Sequence, residues 1–216
     1  MLQATMDVRL NQPSLSVRYN PGKNPDAFLR KIVELIAAGT GFPAFHNDEV
    51  GIKMLLRKGA TLSEAYNWNP CGCVETNLMG KSREYTAFCD LNLASLVELA
   101  MFNGQYGPDR QQMAPGTGDP RDFEDFDAFK EAVKTHLRYV VRALVESNHV
   151  LNEVSDERPV PVASLTFLDC IENGADYSWG GAKYNYGNGV ILDCVADFIN
   201  SLSAVKHLIY DEKRIS

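Results

Sequence analysis

Residues 67–89 read NWNPCGCVETNLMGKSREYTAFC and form the least regular segment of the chain. The segment is rich in Asn, Gly and Pro and has neither a helical nor a strand period, which predicts a loop. Helical patterns bound it on both sides, because Thr61 and Glu64 have the spacing of a capping box and an apolar helical face covers residues 91–102. A loop of this length is uncommon in a compact domain unless it carries a function. We therefore expect a site in residues 67–89.

Strand-like and helix-like patterns alternate before this loop. Alternating apolar residues predict strands, and apolar positions at helical spacing predict helices with polar caps and terminal glycines. The predicted elements are a strand at 15–19, a helix from Asn24 or Asp26 to Gly39, a strand at 41–45, a helix capped by Asp48 that ends at Gly59, and a short helix from Thr61 to Tyr66.

The alternation continues after the loop, with a polar excursion rich in Gly and Pro at 105–121. A long amphipathic helix is predicted at 126–154, and the β-branched run 160–167 predicts a buried strand. A final helix is expected at 196–212. The sequence favours an α/β arrangement with largely parallel strands and shows no internal repeat or interdomain linker. Because the pattern opens on a strand-like edge and stops after a helix, we expect an incomplete sheet or barrel.

The composition is that of an ordinary globular protein. The chain has 216 residues, 45% of them hydrophobic, and a formal net charge of −7. An acidic chain lacks the basic face that nucleic-acid binding requires, and no apolar run is long enough to span a bilayer. The amino terminus lacks the basic and apolar regions of a signal peptide, so a cytoplasmic location is expected. We thus expect neither a nucleic-acid partner nor a membrane partner.

The five cysteines are scattered and odd in number, and they are expected to be free thiols. Cys170 and Cys194 lie in apolar stretches and are expected to be buried as small hydrophobes. Cys71 and Cys73 have no second Cys/His pair at zinc-ligand spacing, so no metal site is expected. Cys73 and Glu75 stand two residues apart, which in extended backbone places both side chains on one face. Composition alone favours a loop thiol beside a solvated carboxylate.

The string Gly72-Cys73-Val74-Glu75 resembles the GCVE active-site loop of the glycyl radical enzymes, the superfamily that contains pyruvate formate-lyase. Other stretches resemble that family in the same order. They are QPSLSVR at 12–18, GFPAFHNDE at 41–49, GGAKYN at 180–185, and SLSAVK at 201–206 with Glu212-Lys213 behind it. The similarity covers nearly the whole chain, which is therefore identified as a middle portion of such an enzyme.

The resemblance implies both a fold and a chemistry. The fold is a ten-stranded α/β barrel, of which residues 1–216 would form one partial barrel domain. Cys73 would become a thiyl radical that removes a hydrogen atom from a small-molecule substrate, with Glu75 as the paired acid or base. The glycyl radical would lie in a carboxyl-terminal domain outside these residues, installed by an activating enzyme that uses S-adenosylmethionine and an iron–sulfur cluster. The segment would bind no cofactor itself, and the full-length protein would be a homodimer.

Residues in and around the loop favour one reaction within this family. Acetyl transfer is disfavoured, because pyruvate formate-lyase uses two adjacent cysteines and a glycine separates them here. The eliminating members commonly read GCVEP, whereas this chain has Thr76 in place of the proline. Thr76 and three local aromatics favour decarboxylation of an arylacetate; the aromatics are Trp68, Tyr85 and Phe88. The alternatives are a dehydratase or other eliminase acting on a small diol-like substrate and, in another class, a catalytically silent truncated fragment.

Further residues are candidates for substrate contact or for structural roles. Tyr85, Phe88 and Trp179 are the candidate substrate-binding aromatics, for each of which core packing is the favoured alternative. His46 follows a predicted strand and precedes a helix, so it is expected to be structural rather than a ligand. The pair Gly180-Gly181 is expected to allow close approach of the backbone, and it lacks the GxGxxG spacing of a dinucleotide site.

Overall fold

The structure is a computed structural model and describes residues 1–9, 14–71, 75–83 and 88–215. Its contacts divide the chain into two compact units. Unit 1 contains Met1–Thr86 and Pro159–Asn188, and unit 2 contains Ala87–Arg158 and Gly189–Ser216. Unit 1 is therefore discontinuous in sequence, with the larger part of unit 2 inserted into it.

Helices and strands alternate along the described chain. The helices are α1 (Leu2–Val8), α2 (Asp26–Ala37), α3 (Asp48–Arg57), α4 (Leu62–Ala65), α5 (Ala94–Met101), α6 (Phe126–Asp156), α7 (Pro161–Ser164), α8 (Leu168–Asn173) and α9 (Val195–Val205). The strands are β1 (Ser16–Tyr19), β2 (Ala44–Asn47), β3 (Asn69–Cys71), β4 (Glu75–Asn77), β5 (Ser82–Arg83), β6 (Cys89–Asn92), β7 (Gln105–Tyr106), β8 (Gln111–Gln112), β9 (Tyr184–Asn185) and β10 (Val190–Asp193). There are also 3₁₀ turns at Pro120–Asp122 and Tyr177–Trp179 and a π-helical turn at Lys206–Asp211.

Unit 1 is built on two parallel strand pairs and one antiparallel hairpin. Strands β1 and β2 are parallel, as are β5 and β9, whereas β3 and β4 are antiparallel. Gly51 on α3 lies under the Trp68 ring, with which a Cβ at position 51 would overlap. A buried apolar cluster surrounds this contact and consists of Ile52, Leu55, Ala60, Ala65, Trp68 and Leu78. The cluster lies beside the residues that lead into and out of the β3–β4 hairpin, so its burial stabilises that region.

Unit 2 combines a parallel strand pair, β6 with β10, and a short antiparallel hairpin, β7 with β8. Helix α5 packs against α6 and α9. Helix α6 begins where Asp125 Oδ1 accepts a hydrogen bond from the Ala128 amide at 2.8 Å, an ordinary N-cap. Its buried His136 has Nε2 at 3.2 Å from Thr117 Oγ1, and burial lowers the pKa of this imidazole. His136 is thus a neutral core residue.

The α/β arrangement expected from the sequence is confirmed, since every described strand pair that joins distant segments is parallel. The strand predicted at 15–19 and the helix predicted at 126–154 are present as β1 and α6. The capping box is also present, with Thr61 and Glu64 exchanging side-chain and backbone hydrogen bonds at the start of α4. Among the described residues, no helix is both long and apolar enough to cross a membrane.

The buried strand predicted at 160–167 is wrong. The segment forms the single helical turn α7, because Pro161 occupies its first position, where a proline is pre-set for helix and its missing N–H is not needed. Asp176 accepts hydrogen bonds from the Val160 amide at 3.1 Å and from Ser164 Oγ at 2.8 Å, which holds the turn at both ends. The β-branched residues here do not form a strand, because Pro161 and the hydrogen bonds to Asp176 decide the backbone.

Two predicted helix caps are also wrong. Asn47, rather than Asp48, caps α3, and its side chain accepts hydrogen bonds from the Glu49 and Val50 amides. Asp48 instead binds Arg18 across unit 1. Helix α2 begins without a side-chain cap, because the Asn24 carbonyl oxygen Oδ1 accepts from the Asn20 amide at 2.8 Å and so closes the preceding turn.

Three further expectations need correction. Residues 67–89 are not wholly irregular, since β3, β4 and β5 lie within them. Leu91 belongs to β6 rather than to the following helix, because parallel pairing with β10 extends to Asn92. Cys170 is buried as expected, and burial raises the pKa of its thiol. Cys194, however, is exposed and has a left-handed backbone, φ 56°, so it is not a core residue.

Large apolar side chains remain exposed on α7, α8 and the turn between them, and we expect the purified 216-residue chain to self-associate. Val162, Leu165 and Leu168 are 78%, 71% and 73% exposed. An apolar patch of this kind promotes association and binds hydrophobic dyes. The double variant Leu165→Glu/Leu168→Glu should lower both sedimentation coefficient and dye fluorescence, whereas Glu172→Gln on α8 should change neither. A chain that sediments as a monomer and binds no dye would contradict the prediction.

Candidate active site

The hairpin β3–β4 brings together the two ends of the Gly72-Cys73-Val74 segment. In its antiparallel register Cys71 lies directly opposite Glu75. Directly opposed residues project to the same face of a hairpin, so the Cys71 thiol and the Glu75 carboxylate share a face. Both residues are half-buried. Cys73 lies outside the described residues, and the structure therefore places Glu75 but not its predicted partner.

The upstream end of the hairpin is fixed through Trp68, which immediately precedes β3 and is fully buried. Its indole Nε1 donates to Asp48 Oδ1 at 2.9 Å. Arg18 Nε donates to the same oxygen at 2.8 Å, and its guanidinium carbon lies 4.6 Å from the centre of the Trp68 ring. The Trp68 side chain is therefore held by a charge-assisted hydrogen bond to Asp48 and by a cation–π contact with Arg18.

The downstream end is fixed through the carboxylate of Glu64 on α4. Lys81 and Lys183 each donate Nζ to Glu64 Oε1, at 3.0 Å and 2.6 Å. The hydroxyls of Thr61 and Tyr184 donate to Oε2 at 2.6 Å and 2.7 Å. Lys81 lies between β4 and β5, so this cluster ties the strand that follows Glu75 to α4 and β9.

The Glu64 cluster stays ionised at neutral pH. Hydrogen bonds from Lys183, Thr61 and Tyr184 hold the pKa of Glu64 well below its usual range, although burial opposes them. The Glu64 carboxylate in turn raises the pKa of Lys183. The Glu64 side chain is only 11% exposed, so solvent screens these bonds weakly.

The glycine pair has the role that the sequence predicts. A Cβ at Gly181 would overlap the carbonyl oxygen of Ala175, and Gly180 has a positive φ of 78°. Gly181 therefore allows the backbone to approach closely just before Lys183 and Tyr184. The GGAKYN motif thus supplies two of the hydrogen-bond donors to the Glu64 carboxylate.

Sequence reasoning identified the motifs but missed how they meet. Arg18 and Asp48 belong to two of the quoted motifs, yet nothing in their spacing indicates that they bind each other and Trp68. The sequence indicates only a capping role for Glu64, because nothing in it distinguishes a glutamate that also binds two lysines from any other acidic residue.

The predicted aromatic contacts are only partly placed. Tyr85 lies outside the described residues. Phe88 is half-buried in unit 2, where its amide donates to the Gly189 carbonyl oxygen at 2.9 Å, and Trp179 in unit 1 is 58% exposed. A substrate role for these three residues stays a prediction. Trp68 is a core residue bonded to Asp48, so it contributes nothing to an aromatic substrate pocket.

His46 packs edge-on against Trp68, with ring centroids 6.0 Å apart, and burial lowers the pKa of its imidazole. This placement favours the structural role expected for it. Within the part of the chain that the structure describes, no three His, Cys, Asp or Glu side chains come together as a metal ion would require.

Comparison with known proteins identifies relatives of the whole segment. Residues 1–216 match the family described as pyruvate formate lyase-like. Trans-4-hydroxy-L-proline dehydratase from Clostridioides difficile is 35% identical over 99% of this chain and 27% of its own length. The glycyl radical subunit of 4-hydroxyphenylacetate decarboxylase from Clostridioides difficile strain 630 is 26% identical over 99% of this chain and 26% of its length.

The solved structures give the same result for the fold. The glycerol-bound B12-independent glycerol dehydratase from Clostridium butyricum superposes with a TM-score of 0.85 at 36% identity, covering 100% of this chain and 27% of that one. The paired strands and helices described above therefore form part of an α/β barrel of this kind. The chain spans about a quarter of the length of the relatives that it matches.

Proposed function

The chain belongs to the pyruvate formate lyase-like family, and on that premise we propose that it carries the hydrogen-abstracting loop of a glycyl radical lyase. The observation that supports this proposal most directly is the β3–β4 hairpin. It presents Glu75 half-buried opposite Cys71. The motifs that resemble the family contribute hydrogen bonds that fix the residues before and after this hairpin. A solvated surface loop needs neither anchor.

Cys73 is the proposed hydrogen-atom carrier. In the full-length enzyme the glycyl radical would supply the unpaired electron, and the Cys73 thiol would give up its hydrogen atom to it. Cys73 then takes a hydrogen atom from a carbon of the substrate and returns one to the product radical. This cycle uses the neutral thiol, so the lowered pKa of a nucleophilic cysteine is not required.

Glu75 is the proposed proton carrier. A substrate radical makes proton transfer from a neighbouring hydroxyl or carboxyl group easier, and a carboxylate at this position accepts or returns that proton. Its position two residues after Cys73 in the sequence lets one short segment of the chain supply both the hydrogen-atom carrier and the proton carrier. The two side chains divide the reaction between hydrogen-atom transfer and proton transfer.

Two reactions of a lyase are supported by separate observations. Decarboxylation of an arylacetate is supported by Thr76 in place of the proline of GCVEP and by similarity to the 4-hydroxyphenylacetate decarboxylase subunit. Dehydration of a small hydroxylated substrate is supported by similarity to the two dehydratases, at 35% and 36% identity. Both reactions begin with the same abstraction at Cys73.

The rest of the proposed enzyme follows from the family. It includes a small-molecule substrate, a carboxyl-terminal glycyl radical domain, a radical S-adenosylmethionine activating enzyme as partner, and a homodimeric full-length protein in the cytoplasm. The segment described here binds no cofactor in this scheme. The remaining alternative is that the chain is a catalytically silent fragment. Finding that it is never part of an active full-length enzyme would support this alternative.

A substrate panel separates the two reactions. The activated full-length enzyme is offered 4-hydroxyphenylacetate, phenylacetate and indoleacetate, and in parallel glycerol, propane-1,2-diol, trans-4-hydroxyproline and choline. A methylarene product identifies a decarboxylase, and an aldehyde or imine identifies an eliminase. If no compound of either group is consumed while the glycyl radical is present, the proposed substrate classes are wrong.

Glu75→Gln is expected to keep glycyl radical formation and to lower kcat by about 10²- to 10⁴-fold, the range typical of losing a general acid or base. Electron paramagnetic resonance measures the radical, and product formation measures kcat. Glu49→Gln, in an exposed pair with Lys53 on α3, is the matched control and should keep kcat within about twofold. Equal kcat values for Glu75→Gln and the wild type would remove Glu75 from the mechanism.

A further inference from the structure

Unit 1 contains a cation that belongs to neither the Trp68 nor the Glu64 contacts described above, the guanidinium of Arg83 at the end of β5. Arg83 is only 9% exposed, and its Nε has no hydrogen-bond partner among the described residues. Its described contact is with the Tyr177 ring, whose centroid lies 5.8 Å from the guanidinium carbon. A buried guanidinium without a carboxylate is rare, because removing its charge from water is unfavourable and an anion normally offsets that cost.

The carboxylate nearest to Tyr177 in the chain is already committed. Asp176 Oδ1 accepts from Ser178 Oγ at 2.7 Å, and Oδ2 accepts from Ser164 Oγ at 2.8 Å, while both oxygens accept from the Val160 amide. Burial raises the pKa of Asp176, but these hydrogen bonds outweigh it and hold the pKa well below its usual range. Asp176 therefore stabilises its own turn, and among the described residues no ion pair joins it to Arg83.

The cations of the β5–β9 strand pair differ in their partners. Lys81 and Lys183 flank this pair, and both ammonium groups bind the carboxylate of Glu64. Arg83, on β5, has no ion pair among the described residues, and its described contact is with an uncharged ring. Arg83 is therefore the cation of this pair to which a bound anion could still be added.

This cationic strand pair is tied to the hairpin that carries Glu75. Ser82, next to Arg83, donates from Oγ to Asn77 Oδ1 at 3.2 Å, and its Oγ accepts from the Leu78 amide at 3.1 Å. Asn77 ends β4, two residues after Glu75. The start of strand β5 is therefore hydrogen-bonded to the end of β4, the strand that holds Glu75.

We propose that Arg83 binds the anionic group of the substrate, a carboxylate or a sulfonate, and so selects acids over neutral polyols. This inference rests on the proposed function, because it assigns a substrate class to the same site. A guanidinium presents paired donors that match both oxyanions, and its burial excludes the water that would weaken the bond. The neutral alcohols offer no charge to offset the burial of Arg83.

The test is binding to the full-length protein before activation, so that it does not depend on radical chemistry. Calorimetric titration measures Kd for 4-hydroxyphenylacetate, trans-4-hydroxyproline, a 3-sulfopropanediol and glycerol. We expect the wild type to bind at least one acid, and Arg83→Gln to weaken that binding by about 100-fold. Arg83→Lys keeps the charge without the paired donors and should weaken it by about tenfold. The arms with a carboxylate and a sulfonate show which oxyanion the site takes.

Controls separate this role from a structural one. Lys53→Gln removes an exposed charge on α3 and should leave every Kd within about twofold. Unchanged acid binding by Arg83→Gln, or binding of glycerol alone, would overturn the inference. A fall in melting temperature with unchanged Kd would also overturn it, because Arg83 would then pair with another group of the protein. Loss of turnover in the Glu75 and Cys73 variants tests the proposed function separately, since none of these Kd values depends on it.

Discussion

Cys73→Ser is expected to abolish turnover in the activated full-length enzyme while leaving its glycyl radical intact. A hydroxyl hydrogen is held much more tightly than a thiol hydrogen, so serine cannot exchange a hydrogen atom with the glycyl radical or the substrate. We expect kcat to fall by more than about 10⁴-fold, equivalent to a barrier higher by about 5.5 kcal/mol. Anaerobic product formation measures kcat, and electron paramagnetic resonance measures the radical in the same samples.

Cys71→Ser is the matched control for this experiment, because Cys71 is two residues from Cys73 in the sequence and lies opposite Glu75 in the β3–β4 hairpin. It should keep kcat within about threefold, a barrier change below about 1 kcal/mol. Normal turnover by Cys73→Ser would remove it as the hydrogen-atom carrier. Loss of turnover in Cys71→Ser alone would move that role to the other thiol of the loop.

Glu64→Ala is expected to lower the free energy of unfolding by about 3 kcal/mol at pH 7. The substitution leaves two ammonium groups and the Tyr184 hydroxyl without their shared acceptor, and breaking a buried ion pair typically costs about 3–5 kcal/mol. We expect the lower end because Lys81 and Lys183 are 46% and 40% exposed and regain water. Urea unfolding of the purified protein measures the difference.

The same variant has a predicted pH dependence. The pKa of Glu64 is lower in the folded protein than its ordinary value of 4.5, so its ionic contribution is fully present above that value and is lost as the pH falls below it. The difference between wild type and Glu64→Ala should therefore be constant from pH 6 to 8 and shrink in more acidic solution. Glu34→Gln, in an exposed pair with Lys31, should cost less than about 1 kcal/mol. An equal loss in both variants would show that the cluster adds no stability.

Local patterns were sufficient for much of the fold. The helical period predicted α6, the alternation at 15–19 predicted β1, and the Thr61 capping box predicted α4. These features depend on residues only a few positions apart. The segment 160–167 failed because Asp176, at a distance in sequence, decides its conformation. The predicted Asp48 cap failed for the same reason, because Asp48 binds Arg18, thirty positions away.

The candidate site was predictable in its residues but not in its supports. Glu75 and the loop were identified by motif, and the structure adds that the loop ends are opposed in a hairpin. The two anchoring clusters join residues whose pairing no period or spacing indicates. The sequence does not single out Arg83 either, because its burial and the lack of an ion pair among the described residues are properties of the folded chain.

The Glu64 cluster has a consequence for synthesis on the ribosome. Lys81 lies close to Glu64 in sequence, but Lys183 follows it by 119 positions, with most of unit 2 encoded between them. At translation rates of about 5–20 residues per second, the nascent chain waits roughly 6 to 24 s between the emergence of Glu64 and that of Lys183. During that interval the residues of the β3–β4 hairpin have been synthesised, but β9 and one of the two lysines that bind Glu64 have not. Until Lys183 and β9 emerge, the described contacts available to the hairpin are those within Met1–Thr86, such as the bonds of Asp48 to Arg18 and Trp68.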